Sequence, residues 1–436
     1  MAASYKAALY TLGCKVSQYE SEAIGEELER RGFEICDFRQ RCDLYVINTC
    51  TVTAESDRKS RQIIRRAVKA NPDALIIVVG CYSQRSPDEV AKIPGVSAVL
   101  GSADKLRAVS LAIEMLSDRE RGQAVEVSDI MSAPFEKMCI TRAPRTRAYV
   151  KIEDGCECRC SYCAIPSARG RVRSKLPCEV ISEVEGLYRG GTREIVLTGI
   201  ETASYGSDFD ESYSLADLIA ELDGRGSCER LRLGSLAPEL IDARFVERVR
   251  DAKILAPHFH LSMQSGSDAV LRGMRRRYSA ARALENIERL REAFPTAMFT
   301  TDMMVGFPGE SEENFLETMD FVRRVRFLDV HVFAYSKRKD TPAALYPNQV
   351  PEEAKRERSE RLIRLKNEVR AELLSETVSS AKPLRAILES YENGVYTAHT
   401  DSFIELRVSG DFGLSGEMVS VIPKSTDGEV ICAKIC

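Results

Sequence analysis

The sequence predicts an α/β chain in three parts: a Rossmann-like parallel sheet, a partial (βα)6 barrel, and a small all-β barrel at the C-terminal end. Three observations predict it. Strand-like and helical runs alternate over residues 5–120 and again over 147–345, the pattern of parallel sheets covered by helices. From residue 380 the helical period disappears, and short β-branched runs are separated by Gly, Asn and Asp turns. With 436 residues and 44% hydrophobic composition, the chain can fill two or three cores. Boundaries are expected at 1–117, 118–146 (a linker), 147–377 and 378–436.

In the first part, residues 5–11 read as a strand and 18–31 as an amphipathic helix stopped by Gly32. Residues 44–48 make a short buried strand. A strongly basic helix, Ala54–Ala70, ends at Asn71-Pro72. Strands follow at 74–80 and 96–101, then a helix at 104–116. Functional residues of parallel sheets gather at the carboxyl ends of strands. Cys14, Cys50 and Cys81 follow the first three main strands, so three thiols distant in sequence can meet at one edge. The alternative is three unrelated buried cysteines. Cys36 and Cys42 fit no such edge and read as structural. The linker is partly basic through Arg119, Arg121, Lys137, Arg142, Arg145 and Arg147.

The second part offers strands at 148–152, Glu194–Thr198, Arg230–Leu233, 258–263, 297–304 and Asp329–Ala334. Directly after the first stand Cys156, Cys160 and Cys163 in C-x3-C-x2-C spacing. Three such thiolates hold an iron–sulfur cluster and leave one iron of a cubane open to a small molecule. A zinc site needs a fourth ligand, and the next cysteine, Cys178, stands alone. Cys158 is a bystander. Period-two alternation puts His258, His260, Ser262 and Gln264 on one face of their strand, toward the barrel interior, and Phe259, Leu261 and Met263 on the other, toward the helices. The histidines read as satisfied interior groups or as part of a substrate pocket. Asp302 precedes Val305-Gly306-Phe307-Pro308-Gly309-Glu310, whose glycines permit close backbone approach.

The helix at 352–378 interleaves Lys355, Arg356, Arg358, Arg361, Arg364, Lys366 and Arg370 with glutamates, a solvated face laced by i,i+4 pairs. Three basic runs lie nearer the cysteines: Arg58, Lys59, Arg61, Arg65 and Arg66; Arg169, Arg171, Arg173 and Lys175; and Arg272, Arg275, Arg276 and Arg277. Together they could form a funnel for a phosphate backbone. Strands at 384–390, 395–399, 403–408, 418–422 and 430–435 complete the small barrel, which carries more Asp and Glu than Lys and Arg. The net charge of −4 advertises no global nucleic-acid affinity. The opening residues lack an apolar signal region, and the longest apolar strip, 74–79, is far too short to cross a membrane. Fourteen cysteines in a chain of this size point to metal binding in a reducing cytoplasm.

The cysteine loop, with Tyr162 before its last cysteine, resembles the radical S-adenosylmethionine (SAM) signature. The placement of Cys14, Cys50 and Cys81 resembles the N-terminal domain of the methylthiotransferases, and the C-terminal strands resemble a TRAM domain. The resemblance implies a methylthiotransferase domain, a radical SAM barrel and a tRNA-gripping TRAM domain. It implies two [4Fe–4S] clusters, one on Cys156, Cys160 and Cys163, the catalytic set, and one on Cys14, Cys50 and Cys81. S-adenosyl-L-methionine would be held near Tyr162, Gln264, Gly306 and Gly309, and near Glu194, where Gly190-Gly191-Thr192-Arg193-Glu194 resembles a glycine–glycine–glutamate segment with two residues intervening. Ser17 stands where the family usually has Asn, and Ala237 where it normally has Glu.

Gly13-Cys14-Lys15-Val16, Gln18-Tyr19-Glu20-Ser21 and Met274-Arg275-Arg276-Arg277-Tyr278 are similar to the subgroup acting on N6-threonylcarbamoyladenosine in tRNA. The implied partners are a tRNA anticodon stem-loop and a flavodoxin- or ferredoxin-like electron donor, with no membrane; the oligomeric state stays open. The competing readings are a methylthiotransferase for isopentenyladenosine or a ribosomal protein, and a non-enzymatic iron–sulfur RNA-binding or redox-sensing protein.

Overall fold

Six parallel strands form the first sheet, in the order Glu34–Ile35, Lys6–Thr11, Leu44–Thr49, Leu75–Gly80, Ala98–Leu100, Ala124–Glu126. The central strands Leu44–Thr49 and Leu75–Gly80 are buried along their whole length, as parallel strands covered on both faces must be. The helices Lys15–Arg30 and Arg107–Ser117 pack on one face through Ile24, Leu28, Leu111 and Met115. The helix Ala54–Ala70 covers the other through Ile64 and Ala67. This computed structural model describes residues 5–118, 120–143, 146–210 and 212–436. Arg119 and Arg145, two of the basic linker residues, lie outside the described residues.

The expected linker does more than connect. Ala124–Glu126 adds the last strand of the first sheet. Met138 and Ile140 enter the core of the barrel beside Tyr19 of the helix Lys15–Arg30. The Tyr19 hydroxyl donates to the Met138 carbonyl at 2.7 Å and to Glu183 at 3.1 Å. One helix thus belongs to two cores, which fixes the first sheet against the barrel.

The barrel is an open arc of parallel strands in two sheets. Arg147–Lys151, Glu194–Thr198 and Arg230–Leu233 form one; Ser235–Leu236, His258–Gln264, Met298–Val305 and Asp329–Ala334 form the other. The chain steps between them at Gly234, where a Cβ would stand 2.8 Å from Thr202 Oγ1 and 3.1 Å from the Leu197 carbonyl. The expected alternation of the fourth main strand holds. Phe259, Leu261 and Met263 lie in the core against the helices, while His258 and His260 face Thr300 on the next strand.

The helix Glu352–Ser380 closes the arc with Leu362, Leu365, Val369 and Leu373, and passes Leu374 to the core of the C-terminal barrel. Its charges are less solvated than expected. Lys355 and Arg358 are buried, the first donating to the Tyr335 carbonyl and the second to Glu310 at 2.7 Å. Several others pair across helices, such as Arg323 with Glu368, rather than along one. The five strands Leu384–Glu392, Val395–Thr400, Glu405–Ser409, Met418–Thr426 and Ile431–Ile435 form a closed barrel. Among the described residues, no helix is long and apolar enough to cross a membrane.

Candidate active site

Register alone brings the first three cysteines to one edge. Leu12 N–H donates to the Asn48 carbonyl, and Thr49 pairs with Gly80, so the chains leaving three adjacent strands emerge side by side. Cys14 is the N-cap of its helix, Cys50 directly follows its strand, and Cys81 opens the short helix Cys81–Arg85. Gly13 has φ +122°, and a Cβ there would come within 3.3 Å of Cys50 Cβ and 3.5 Å of its sulfur, so the turn needs glycine. Burial, with the neighbouring Cys81 and then Cys14, pushes the Cys50 thiol up to about 11.

The second set lies at the carboxyl end of Arg147–Lys151, the first barrel strand. Cys156 N–H donates to the Gly170 carbonyl, and Cys163 N–H to that of Cys160. Gly155, φ +91°, passes so close to the Arg171 carbonyl that a Cβ would collide with it at 1.7 Å. Ser161 ties the loop to the barrel through the carbonyls of Gly273, at 2.8 Å, and Met274. Arg276 Nη1 lies 3.4 Å from Cys160 Sγ and 2.6 Å (through Nη2) from the Ser262 carbonyl. Burial pushes the Cys163 thiol up to about 12. Cys158 N–H donates to Cys156 Sγ at 3.5 Å, and a hydrogen bond between the two thiols draws Cys158 down to about 7 and pushes Cys156 up. Tyr162 packs against Met274, Phe307 and Tyr335.

Both cysteine sets suit a multi-iron cluster better than a single ion. Among the described residues, only His260, Asp302 and His331 bring three ligand atoms within 4.8 Å of one another. Neither cysteine set brings its three sulfurs that close.

One side chain from the helix after the second set reaches the first. The short helix Ile165–Arg169, which follows Cys163, packs against Cys81–Arg85. Arg169 is fully buried. Its Nε reaches Cys81 Sγ at 3.1 Å, Nη1 reaches Glu20 at 2.6 Å and Asp154 at 3.2 Å, and Nη2 reaches Ser17 Oγ at 3.4 Å. Lys105 and Lys151 complete the network on Glu20 at 3.0 and 3.1 Å. Although burial opposes it, Arg169, Lys105 and Lys151 hold the Glu20 carboxyl well below its usual range. The sequence reading missed this centre. A signal was present, because the helical period places Glu20 among the buried Val16, Tyr19, Ala23 and Ile24. Ser17, where the resemblance expects Asn, turns its hydroxyl to Arg169.

The expected cofactor contacts divide. Gln264, with φ +70°, and the Gly306–Gly309 turn lie at the carboxyl ends of their strands, on the side of the Cys156 loop. The Gly306 N–H is taken by Glu310 at 2.8 Å. Glu194 is a correction. It opens its strand instead of ending it, paired in register with Arg147 and Arg230. There it is fully buried among Arg147 at 2.7 Å, Arg230 at 2.7 Å and Arg232 at 3.0 Å. The same arginines reach the C-terminal barrel, Arg232 donating to the carbonyls of Thr400 at 2.7 Å and Asp401 at 2.8 Å. Glu201 is the carboxylate beside the cysteine loop. It accepts from Ala237 N–H at 2.8 Å, and burial with nearby Cys158 pushes it up to about 8. Ala237 is itself fully buried.

The lumen between these ends is polar. Thr300 Oγ1 meets His258 at 3.1 Å and His260 at 2.9 Å; Asp302 meets His331 at 3.0 Å and His260 at 3.5 Å. Phe403 of the C-terminal barrel stacks on His258 at 4.6 Å. The hydrogen bond to Asp302 raises His331 above the ordinary 6.5, while burial and then Arg232 hold His258 well below it. The His331–Asp302 contact therefore stabilises the fold fully below about pH 6.5 and fades as pH rises through the raised value. With four histidines in the chain, a ring NMR titration should show His331 keeping its proton past 6.5 and His258 staying neutral through that range. Two ordinary titrations would contradict this packing.

The three basic runs do not all face solvent. Arg169, Lys175 and much of Arg173 are spent inside: Lys175 donates to the Met138 carbonyl at 2.8 Å, and Arg173 to that of Arg169 at 2.6 Å. Arg276 serves Cys160. Exposed positions remain at Lys59, Arg65, Arg66, Arg171, Arg272, Arg275 and Arg277, and at Arg58, which pairs with Glu55.

Residues 150–322 match the Radical SAM superfamily, and residues 6–101 match the uncharacterized protein family UPF0004. The chain is 41% identical to the threonylcarbamoyladenosine tRNA methylthiotransferase MtaB of Bacillus subtilis (strain 168), over 95% of this chain and 92% of that one. It is 34% identical to the enzyme of the same name from Aquifex aeolicus (strain VF5), over 96% of this chain and all (100%) of that one. The fold is similar to that of the radical SAM methyltransferase TsrM from Kitasatospora setae, with TM-score 0.57 at 17% identity, over 79% of this chain and 77% of that one. With similarity running through the sheet and barrel that carry both cysteine sets, the chain belongs to the tRNA methylthiotransferases of the radical SAM superfamily.

Proposed function

We propose that the chain converts N6-threonylcarbamoyladenosine beside the tRNA anticodon to its 2-methylthio derivative. The observation that carries this reading is two cysteine sets at the carboxyl ends of two parallel sheets, with Arg169, from the helix after Cys163, reaching Cys81. Cys156, Cys160 and Cys163 would hold a [4Fe–4S] cluster with one open iron, and Cys14, Cys50 and Cys81 a second. When bound, the first would supply the electron that cleaves SAM to methionine and a radical able to take hydrogen from adenine C2, the second would supply sulfur, and another SAM would supply methyl. The activity named for the Bacillus and Aquifex relatives supports the substrate.

The chain's own residues set the stage. Arg276 places a cation against Cys160, which favours the thiolate and so the bound metal. Ser161 and the Gly155 turn fix the loop, and Tyr162 with Phe307 and Tyr335 closes an apolar floor behind it. Gln264 and the Gly306–Gly309 turn, at the carboxyl ends of their strands, would line the place of SAM. The exposed arginines near both cysteine sets meet the anticodon stem, and an electron donor of flavodoxin or ferredoxin type works with the enzyme in a reducing cytoplasm.

The Cys160→Ala variant, reconstituted anaerobically with SAM and reductant, should fold and make no 5′-deoxyadenosine; continued formation refutes the assignment. Nucleoside mass spectrometry of tRNA from a deletion strain should show loss of the 2-methylthio group from threonylcarbamoyladenosine. Loss from isopentenyladenosine instead, or from a ribosomal protein, would replace the substrate.

A further inference from the structure

Three adjacent strands of the barrel put His260, Asp302 and His331 on one face. His260 pairs in register with Thr300, and Asp302 with His331. Period two returns Asp302 to the face of Thr300, so its carboxylate stands between the two imidazoles. Asp302 Oδ2 lies 3.5 Å from His260 Nε2, and Oδ1 lies 3.0 Å from His331 Nδ1. The two rings are 5.6 Å apart, centre to centre. Two nitrogens and a carboxylate oxygen thus converge within 4.8 Å of one another.

The outer contacts argue for more than an ion pair. Each imidazole has its remaining nitrogen held by a neighbour. His260 Nδ1 is 2.9 Å from Thr300 Oγ1, which also meets His258 Nε2 at 3.1 Å. With the proton on Nδ1, His260 donates to Thr300, Thr300 donates to a neutral His258, and the lone pair of His260 Nε2 is left facing Asp302. His331 Nε2 faces Asp329 Oδ2 at 3.7 Å. Asp329 is itself fixed by Lys366 at 2.8 Å and by the Val330 N–H at 2.9 Å. Metal-bound histidines are oriented in this way, by an acceptor on the ring nitrogen that does not ligate. Two imidazoles and one carboxylate suit a divalent transition ion such as zinc, whereas magnesium and calcium take oxygen. Three protein ligands leave one position of a tetrahedral ion open, and His331, 53% exposed, makes the site reachable from solvent.

We propose that His260, Asp302 and His331 bind a divalent ion of the zinc class in the barrel lumen, taking no ligand from either cysteine set and leaving one coordination position open to water or another oxygen ligand. The ion replaces the proton that His331 carries in the metal-free chain. This inference does not depend on the substrate reading above.

The test uses full-length enzyme reconstituted anaerobically, so that iron and sulfide occupy the cysteines, and equilibrium dialysis against zinc(II). The wild type should take up about one zinc ion per chain, bound at about 2.0–2.1 Å by nitrogen and oxygen in zinc-edge X-ray absorption, with no sulfur shell near about 2.3 Å. His260→Gln and His331→Gln should each lose the ion. Asp329→Asn, which removes only the partner of a ligand, should weaken zinc about 10- to 100-fold. Iron and sulfide contents should match the wild type in all three variants. Because His260 is buried, His331→Gln decides if His260→Gln loses its iron as well. Four results overturn the proposal: no zinc bound by the wild type, a sulfur shell around the zinc, undiminished zinc in His331→Gln, or zinc lost from His331→Gln only together with the iron.

Discussion

Replacing Arg169 with Met is expected to cost about 3–5 kcal/mol of unfolding free energy, because it leaves buried carboxylates without their main cation. Glu20 and Asp154 are both enclosed, and Arg169 is the one guanidinium that reaches both, at 2.6 and 3.2 Å. Lys105 and Lys151 remain on Glu20, so the centre weakens without emptying. The consequence goes beyond stability. Arg169 also touches Cys81, so its loss frees the first sheet from the helix that follows Cys163. Denaturant unfolding should show the lower midpoint, and hydrogen exchange should rise at both Cys81–Arg85 and Ile165–Arg169. An unchanged midpoint would mean that the joint is held elsewhere.

Glu194→Gln should have an effect of similar size, about 3–5 kcal/mol by the same reasoning, at the opposite end of the barrel. Arg147, Arg230 and Arg232 crowd round that one carboxylate, and their opposing charges hold Glu194 far below the usual carboxylate range despite its burial. Its folded pKa is depressed. Its contribution is thus present above the ordinary value near 4.5 and is lost as pH falls through the depressed one. Wild type and variant should converge in stability toward acid pH. The arginines also hold carbonyls of the C-terminal barrel, so protease cleavage near residue 382 should accelerate in the variant. SAM affinity, measured on the reconstituted enzyme, should stay within about twofold, since sites that lie apart and share no partners rarely couple. A large loss of SAM affinity would return Glu194 to the cofactor.

The contrast between Glu194 and Arg169 shows what the sequence makes legible. The bounds of several helices and strands were readable because hydrophobic periodicity is a local property: Ala54–Ala70, Glu194–Thr198, Arg230–Leu233 and Asp329–Ala334 fall where their residues predict. The cysteine positions were readable because parallel sheets place strand ends together. The charged residues were not. Arg169 reads as one basic residue in an arginine-rich run, and only the packing of its helix on Cys81–Arg85 shows that it points inward. Glu194 matched a motif by composition, but parallel register sets it at the start of its strand, far from the chemistry. The edge strand Ala124–Glu126 escaped because three residues carry no period; its pairing with Ala98–Leu100 is set by the sheet already built.

The measurement that bears most directly on the two cysteine sets is iron and acid-labile sulfide per chain after anaerobic reconstitution. Two four-iron clusters predict about eight iron atoms in the wild type, falling to about four when Cys14, Cys50 and Cys81 are replaced together, and to about four when Cys156, Cys160 and Cys163 are. A wild type that saturates at about four, or a triple replacement in one set that empties both, would contradict the account.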